Sequence, residues 1–157
     1  MDYASIPTGY VEIVGRVFLA TLAGAVIGID RELQRKPAGL RTHALVALGA
    51  CVFTIISALA SAAPTLDQAA PGRIVQGIVA GVGFIGAGAI FRRGDSATGQ
   101  GLTTAATIWI VAAAGTAAGL GLWRTALTAT GVSVLILMLE NPIDRLLKKR
   151  DQGQTGA

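Results

Sequence analysis

The chain has 157 residues, of which 52% are hydrophobic and only 14% charged, and its mean hydropathy is +0.61. Soluble domains carry about 25% charge, so a soluble enzyme with a conventional polar shell is excluded. The net charge of +4 lies in short gaps between apolar runs, which fits membrane orientation and not nucleic-acid binding.

Five apolar stretches follow one another along the chain. The first covers about residues 10–29 and is interrupted by Glu12 and Arg16. The second, 44–63, has no charge; the third, 74–90, holds Gln76 and five glycines. The fourth and fifth cover about 103–120 and 125–139. A bilayer core needs about 17–25 helical residues. The second and fourth stretches meet that alone, and the third is near the lower limit. The first and fifth reach it by borrowing interfacial residues such as Trp123.

Turn chemistry separates the stretches: Lys36-Pro37-Ala38-Gly39, then Pro64 and Pro71, then Gly94-Asp95-Ser96 with Gly99 and Gly101, then Gly119 and Gly121 with Trp123. Connections this short make successive helices antiparallel. Thr42 and Thr103 are candidates to cap the helices that follow them. The opening Met-Asp-Tyr has no basic n-region, so the first stretch reads as a retained span and not a cleaved signal. The expected architecture is all-α: a polytopic bundle of about five transmembrane helices over residues 1–140, with a basic tail over 141–157 and no soluble domain after it.

Charge orients the bundle. Arg31, Arg35, Lys36, Arg41, Arg92, Arg93, Arg145, Lys148, Lys149 and Arg150 fall on one side, against Arg73 and Arg124 on the other. Bases stay cytoplasmic, which predicts an external N-terminus and a cytoplasmic C-terminus.

Gly81-Val82-Gly83-Phe84-Ile85-Gly86 spells the dinucleotide-binding fingerprint. It lacks the preceding strand and the acid about 20 residues on, so packing explains it better. Gly24 with Gly28, Gly77 with Gly81, and Gly115 with Gly119 are spaced to let helix backbones touch. The third stretch, with Gly77, Gly81, Gly83, Gly86 and Gly88, is expected to be the central helix. Its glycine content also suits an unwound segment exposing backbone carbonyls.

Arg16 is the one base well inside a span, with Glu12 four residues earlier on the same face. Either the two pair there or both snorkel to the surface. Asp30-Arg31-Glu32 and Arg41-Thr42-His43 converge at one membrane face, as an ion-pair network or a binding vestibule. An arginine at a helix start opposes the helix dipole, so Arg41 is expected to pair with Asp30 or Glu32. No nucleophile–base pair and no transition-metal ligand set is apparent, so neither an enzyme nor a bound cofactor is expected. The single Cys51 precludes an intrachain disulfide.

These segments resemble the MgtC/SapB family of bacterial inner-membrane proteins. The matching blocks are Gly28 to Glu32, Pro37 to Val46, Gly77 to Gly88, and Gly101 to Trp109 with Gly115, in order over about residues 10–140. The resemblance implies a five-helix domain of the bacterial inner membrane with a role in magnesium-limited growth and intracellular survival. It also implies that some members bind and inhibit the F-type ATP synthase. Asp30 stands where many members have Glu, and virulence-factor members continue past the position of Pro142 into a soluble domain.

Two functions therefore compete. One is a non-enzymatic regulator in magnesium homeostasis or membrane energetics, acting in the lipid bilayer through a protein partner or as a homo-oligomer. The other is a small transporter or channel component, whose mark would be a polar cavity linking Arg16, Gln76, Thr103 and Thr104. The candidate functional residues are those four with Asp30, Arg31, Glu32, Arg41, Thr42, His43, Arg73 and Trp109.

Overall fold

A computed structural model describes residues 7, 9–61, 69–91 and 98–154, with side chains described at 7, 9–61, 69, 71–91 and 101–139. The described residues form five helices: α1 (Tyr10–Leu33), α2 (Leu40–Ser61), α3 (Ala70–Phe91), α4 (Thr98–Gly119) and α5 (Trp123–Gln154). The first four are long and apolar enough to cross a bilayer, and α5 contributes a shorter apolar stretch, Trp123–Leu139. The chain is a helical membrane bundle. Arg92, Arg93, Pro64 and the turn at Gly94-Asp95-Ser96 lie outside the described residues, as do the side chains of Arg145, Lys148, Lys149 and Arg150.

Helix ends follow from local hydrogen bonding. At the end of α1 the amide of Lys36 donates to Arg31 O and that of Arg35 to Glu32 O, with Arg35 in the left-handed region at φ 54°. At the end of α4, Leu122 donates to Ala117 O and Gly121 to Ala118 O, with Gly121 at φ 80°. Both are the reversed-turn stop that uses up carbonyls a helix leaves bare. Thr42 and Thr103 do not cap: α2 starts at Leu40 and α4 at Thr98, so both threonines lie inside their helices.

The centre of the bundle is α4, not α3. It touches α1, α2, α3 and α5, whereas among the described residues α3 touches only α2 and α4. The order around α4 is α3, α2, α1, α5, and α3 and α5 do not meet. Through that opening α4 shows its one exposed stripe, Leu102, Ala106, Trp109 and Ala113.

The reason is where small residues find a partner. A Cβ on Gly24 would lie 2.5 Å from His43 O, and one on Gly28 2.7 Å from Leu40 Cα. On Gly115 it would strike the Ala47 carbonyl, and on Gly119 it would lie 2.7 Å from Cys51 O. Backbone contact thus ties α2 to both α1 and α4. At Gly77, Gly81, Gly83 and Gly88 a Cβ would meet nothing within 4 Å, and only Gly86 touches a neighbour, Ala105, at 3.4 Å. Most α3 glycines face outward, so their expected packing role inside the chain fails. The unwound segment is also absent, since α3 is one continuous helix.

Candidate functional site

Two polar clusters sit at opposite ends of the α1–α2–α4 core. The first is at the face where α1 ends and α2 begins. Arg31 is completely buried, and its Nε and Nη2 donate to Asp30 Oδ2 at 2.9 and 2.5 Å. Gln34 Nε2 donates to both Asp30 oxygens at 3.0 Å, which saturates that carboxylate. Glu32 reaches across the turn and accepts the Leu40 amide at 3.0 Å, so an acid eight residues upstream caps α2. Its carboxylate fills the space where a Cβ of residue 39 would stand, so a side chain at Gly39 would displace this cap.

His43, fully buried, follows one turn later. Its Nδ1 lies 2.8 Å from Gly39 O, and a carbonyl only accepts, so Nδ1 carries a proton. Its Nε2 lies 2.9 Å from Thr107 Oγ1, and that hydroxyl lies 2.8 Å from Thr104 O. A neutral ring accepts a hydrogen bond from the Thr107 hydroxyl at Nε2. A doubly protonated ring donates instead, and Thr107 turns its hydroxyl onto Thr104 O.

The second cluster lies at the face where α4 ends. Arg16 is 6% exposed; its Nη1 donates to Gly119 O at 2.7 Å and its Nη2 pairs with Glu12. The guanidinium therefore caps the negative end of α4 and ties it to α1. The snorkelling alternative fails, because the head group is buried against backbone. Arg124 lies 5.0 Å from the centre of the Trp123 ring at the same face, within cation–π reach. The Ser57 hydroxyl is the one buried side-chain polar atom among the described residues without a hydrogen-bond partner.

Between the clusters the core is apolar. Ala20, Cys51, Ile55, Ala117, Ala118 and Ala126 form one layer, and Ile27, Ala47, Val111 and Leu137 the next. Of the residues expected at a site, Asp30, Arg31, Glu32, His43 and Thr104 share one face. Thr42 and Thr103 are half-buried nearby, and Trp109 is 44% exposed in mid-helix. Arg41 is exposed and pairs with no carboxylate among the described residues, so the expected bridge to Asp30 or Glu32 is absent; Arg31 holds Asp30 instead. Gln76 and Arg73 are exposed on α3, which does not touch α1. No group of three His, Cys, Asp or Glu side chains fit to hold a metal occurs among the described residues.

Thr107 escaped the sequence reading, although Thr104 and Thr107 share a helical face. A hydrogen bond across 64 positions leaves no local trace. The capping role of Glu32 was equally hidden, since the usual capping residue directly precedes its helix.

Comparison with known proteins is consistent with this bundle. Residues 17–146 match the model of the MgtC family. SrpB of Synechococcus elongatus is 41% identical over 145 residues, which is 87% of this chain and 80% of that protein. MgtC of Salmonella typhimurium is 49% identical over 111 residues, 71% of this chain but 45% of that protein. MgtC of Brucella abortus is 40% identical over 129 residues, covering 82% of this chain and 51% of its own length. The chain thus spans about half the length of the MgtC relatives it matches. No solved structure matches it.

Proposed function

The chain belongs to the MgtC family, and from that premise we propose that it is a non-enzymatic regulator of the bacterial inner membrane. It serves magnesium homeostasis or membrane energetics through a membrane-protein partner, with the F-type ATP synthase as the partner the family resemblance implies. In this reading the N-terminus is external and the C-terminus cytoplasmic, the orientation that the asymmetry of the bases favours.

One observation carries this reading. The buried charged side chains are satisfied within the bundle at its two ends, and closely packed apolar layers separate them. An ion path would need polar groups along its length. The residues that would mark one, Arg16, Gln76, Thr103 and Thr104, lie on three helices, and Gln76 faces outward from α3. This arrangement favours a protein that works through its outer surfaces.

The full chain, purified from its native membrane in mild detergent, is expected to retain membrane subunits of the ATP synthase. Its expression is expected to lower ATP-driven proton pumping in inverted vesicles and to restore growth of a deletion strain at low magnesium. Absence of the synthase together with unchanged pumping would refute the partner. A reporter after Gly153 is expected in the cytoplasm and one near Asp67 outside; the reverse would refute the orientation.

A further inference from the structure

The buried polar chain from α2 to α4 is one hydrogen short. His43 Nδ1 lies 2.8 Å from Gly39 O, Nε2 lies 2.9 Å from Thr107 Oγ1, and that oxygen lies 2.8 Å from Thr104 O. These are three contacts of hydrogen-bond length, and each needs its own hydrogen. A neutral imidazole brings one and the Thr107 hydroxyl another, while both carbonyls only accept. With Nδ1–H committed to Gly39 O, the Thr107 hydrogen serves either Nε2 or Thr104 O, and one short contact is left between two acceptors. Bulk water does not reach it, since His43 and Thr104 are fully buried and Thr107 nearly so.

We propose that His43 is a proton-binding site at the start of α2, which takes a second proton at Nε2 without opening the bundle. One N–H bond forms, the proton comes from water at the face where α2 begins, and nothing is released. Nε2–H then donates to Thr107 Oγ1, the hydroxyl turns to Thr104 O, and every short contact holds a hydrogen. The ring is kept in place meanwhile by α1, because a Cβ on Gly24 would lie 2.5 Å from His43 O and one on Gly28 3.1 Å from His43 Cβ.

The surrounding charges tolerate a cation there. On α1 the buried Arg31 guanidinium is paired with Asp30, and Glu32 sits on the Leu40 amide one turn before His43. That helix thus offers two carboxylates against one guanidinium. In the turn and on α2, Arg35 and Arg41 are exposed and Lys36 partly so, where water screens them. Among the described side chains α4 carries no charge, and the bases of α3 and α5, Arg73 and Arg124, stand in the first turns of those helices, at the opposite end of the bundle.

The chain has one histidine, so selective ¹⁵N-histidine labelling of the full chain in detergent gives a single ring to follow by NMR. At about pH 8 the ring is expected as the Nδ1–H tautomer, and between there and about pH 4 it should become doubly protonated, reversibly, with unchanged elution on size exclusion. Thr107→Val removes the acceptor for Nε2–H and should lower the ring's proton affinity about tenfold, because a hydrogen bond from a charged donor is worth roughly twice a neutral one. Thr107→Ser keeps the hydroxyl and should stay within about twofold of wild type. An Nε2–H tautomer at the high-pH end, a ring still neutral at the low-pH end, or a proton gained only as the elution profile collapses overturns the proposal, and none of these readings needs a variant. Equal proton affinity in wild type and Thr107→Val overturns it as well.

Discussion

Gly115→Ala separates glycines that hold the bundle from glycines that do not. The added methyl would strike the Ala47 carbonyl oxygen and sit 2.9 Å from both Ala47 C and Ala47 Cα. All three atoms are backbone, so no rotamer change relieves the clash. Normal carbon contacts are about 3.5–4.0 Å, which means that α2 and α4 must part by roughly 1 Å. Overpacking of this kind costs about 1–3 kcal/mol. The separation also stretches the neighbouring Gly119–Cys51 approach and the bond from His43 to Thr107. Against this, alanine favours a helix over glycine by about 1 kcal/mol.

Gly81→Ala supplies the control. It brings the same helix preference with no clash, since nothing lies within 4 Å of the new methyl. At about 2–4 °C per kcal/mol for a chain of this size, Gly115→Ala is expected to melt several degrees below wild type. Gly81→Ala should melt at or slightly above it. The assay is the thermal midpoint of detergent-solubilised protein, read by fluorescence-detected size exclusion. Gly115→Ala melting with or above Gly81→Ala would refute the backbone contact between α2 and α4.

Three further pairs of substitutions test the polar clusters by the same assay. Asp30→Asn leaves the buried Arg31 guanidinium without its carboxylate and should cost about 3 kcal/mol, whereas exposed Arg41→Ala should change stability by less than about 0.5 kcal/mol. Arg16→Met keeps the apolar stem but strips the donor from Gly119 O; it should cost about 2 kcal/mol, more than Glu12→Gln at the half-exposed end of the same pair. Glu32→Ala should lose about 1 kcal/mol of capping at Leu40, and Glu32→Gln, which keeps a carbonyl oxygen for that amide, should retain most of it.

Much of this fold is legible in the residues, and the errors have a common cause. Helix number, antiparallel order and the pairing of Arg16 with Glu12 follow from apolar runs, turn residues and i, i+4 spacing. Which helix lies at the centre does not. Gly77 and Gly81 repeat the spacing of Gly24 and Gly28, yet one pair faces outward and the other presses on α2. A local pattern says that a backbone is approachable, not that anything approaches it.

The burial of Arg31 was readable by phase. Ala20, Ala23, Gly24, Ile27 and Gly28 are the buried stripe of α1, and Arg31 continues it by one turn. His43 likewise starts the stripe that runs through Ala47, Ala50, Cys51, Thr54 and Ser57. Arg41 lies off that stripe. Sequence proximity to Asp30 and Glu32 suggested it as their partner, but helical phase turns it away and gives Asp30 to Arg31.

The placement of buried charge bears on how such a bundle could act. A guanidinium in hydrocarbon is tolerated only with its donors occupied. Here Arg16 joins α1 to the end of α4, Glu32 joins α1 to the start of α2, and His43 joins α2 to α4. Every pairing within the α1–α2–α4 set is thus fixed by a polar bond, and the two pairings that involve α2 also by backbone approach, at Gly24 and Gly28 toward α1 and at Gly115 and Gly119 toward α4. To move one of these helices, a ligand or partner would have to offset an uncovered charge and a lost close contact together, several kcal/mol in all. The helix added to that set by apolar contact and the near approaches of Gly86 to Ala105 and Gly101 to Ile90 is α3. Its outward glycines cost about 1 kcal/mol each in helix preference, without any packing gain inside the chain to offset them. Among the described residues, that imbalance leaves the backbone of Gly77, Gly81, Gly83 and Gly88 open to approach from outside the α1–α2–α4 set.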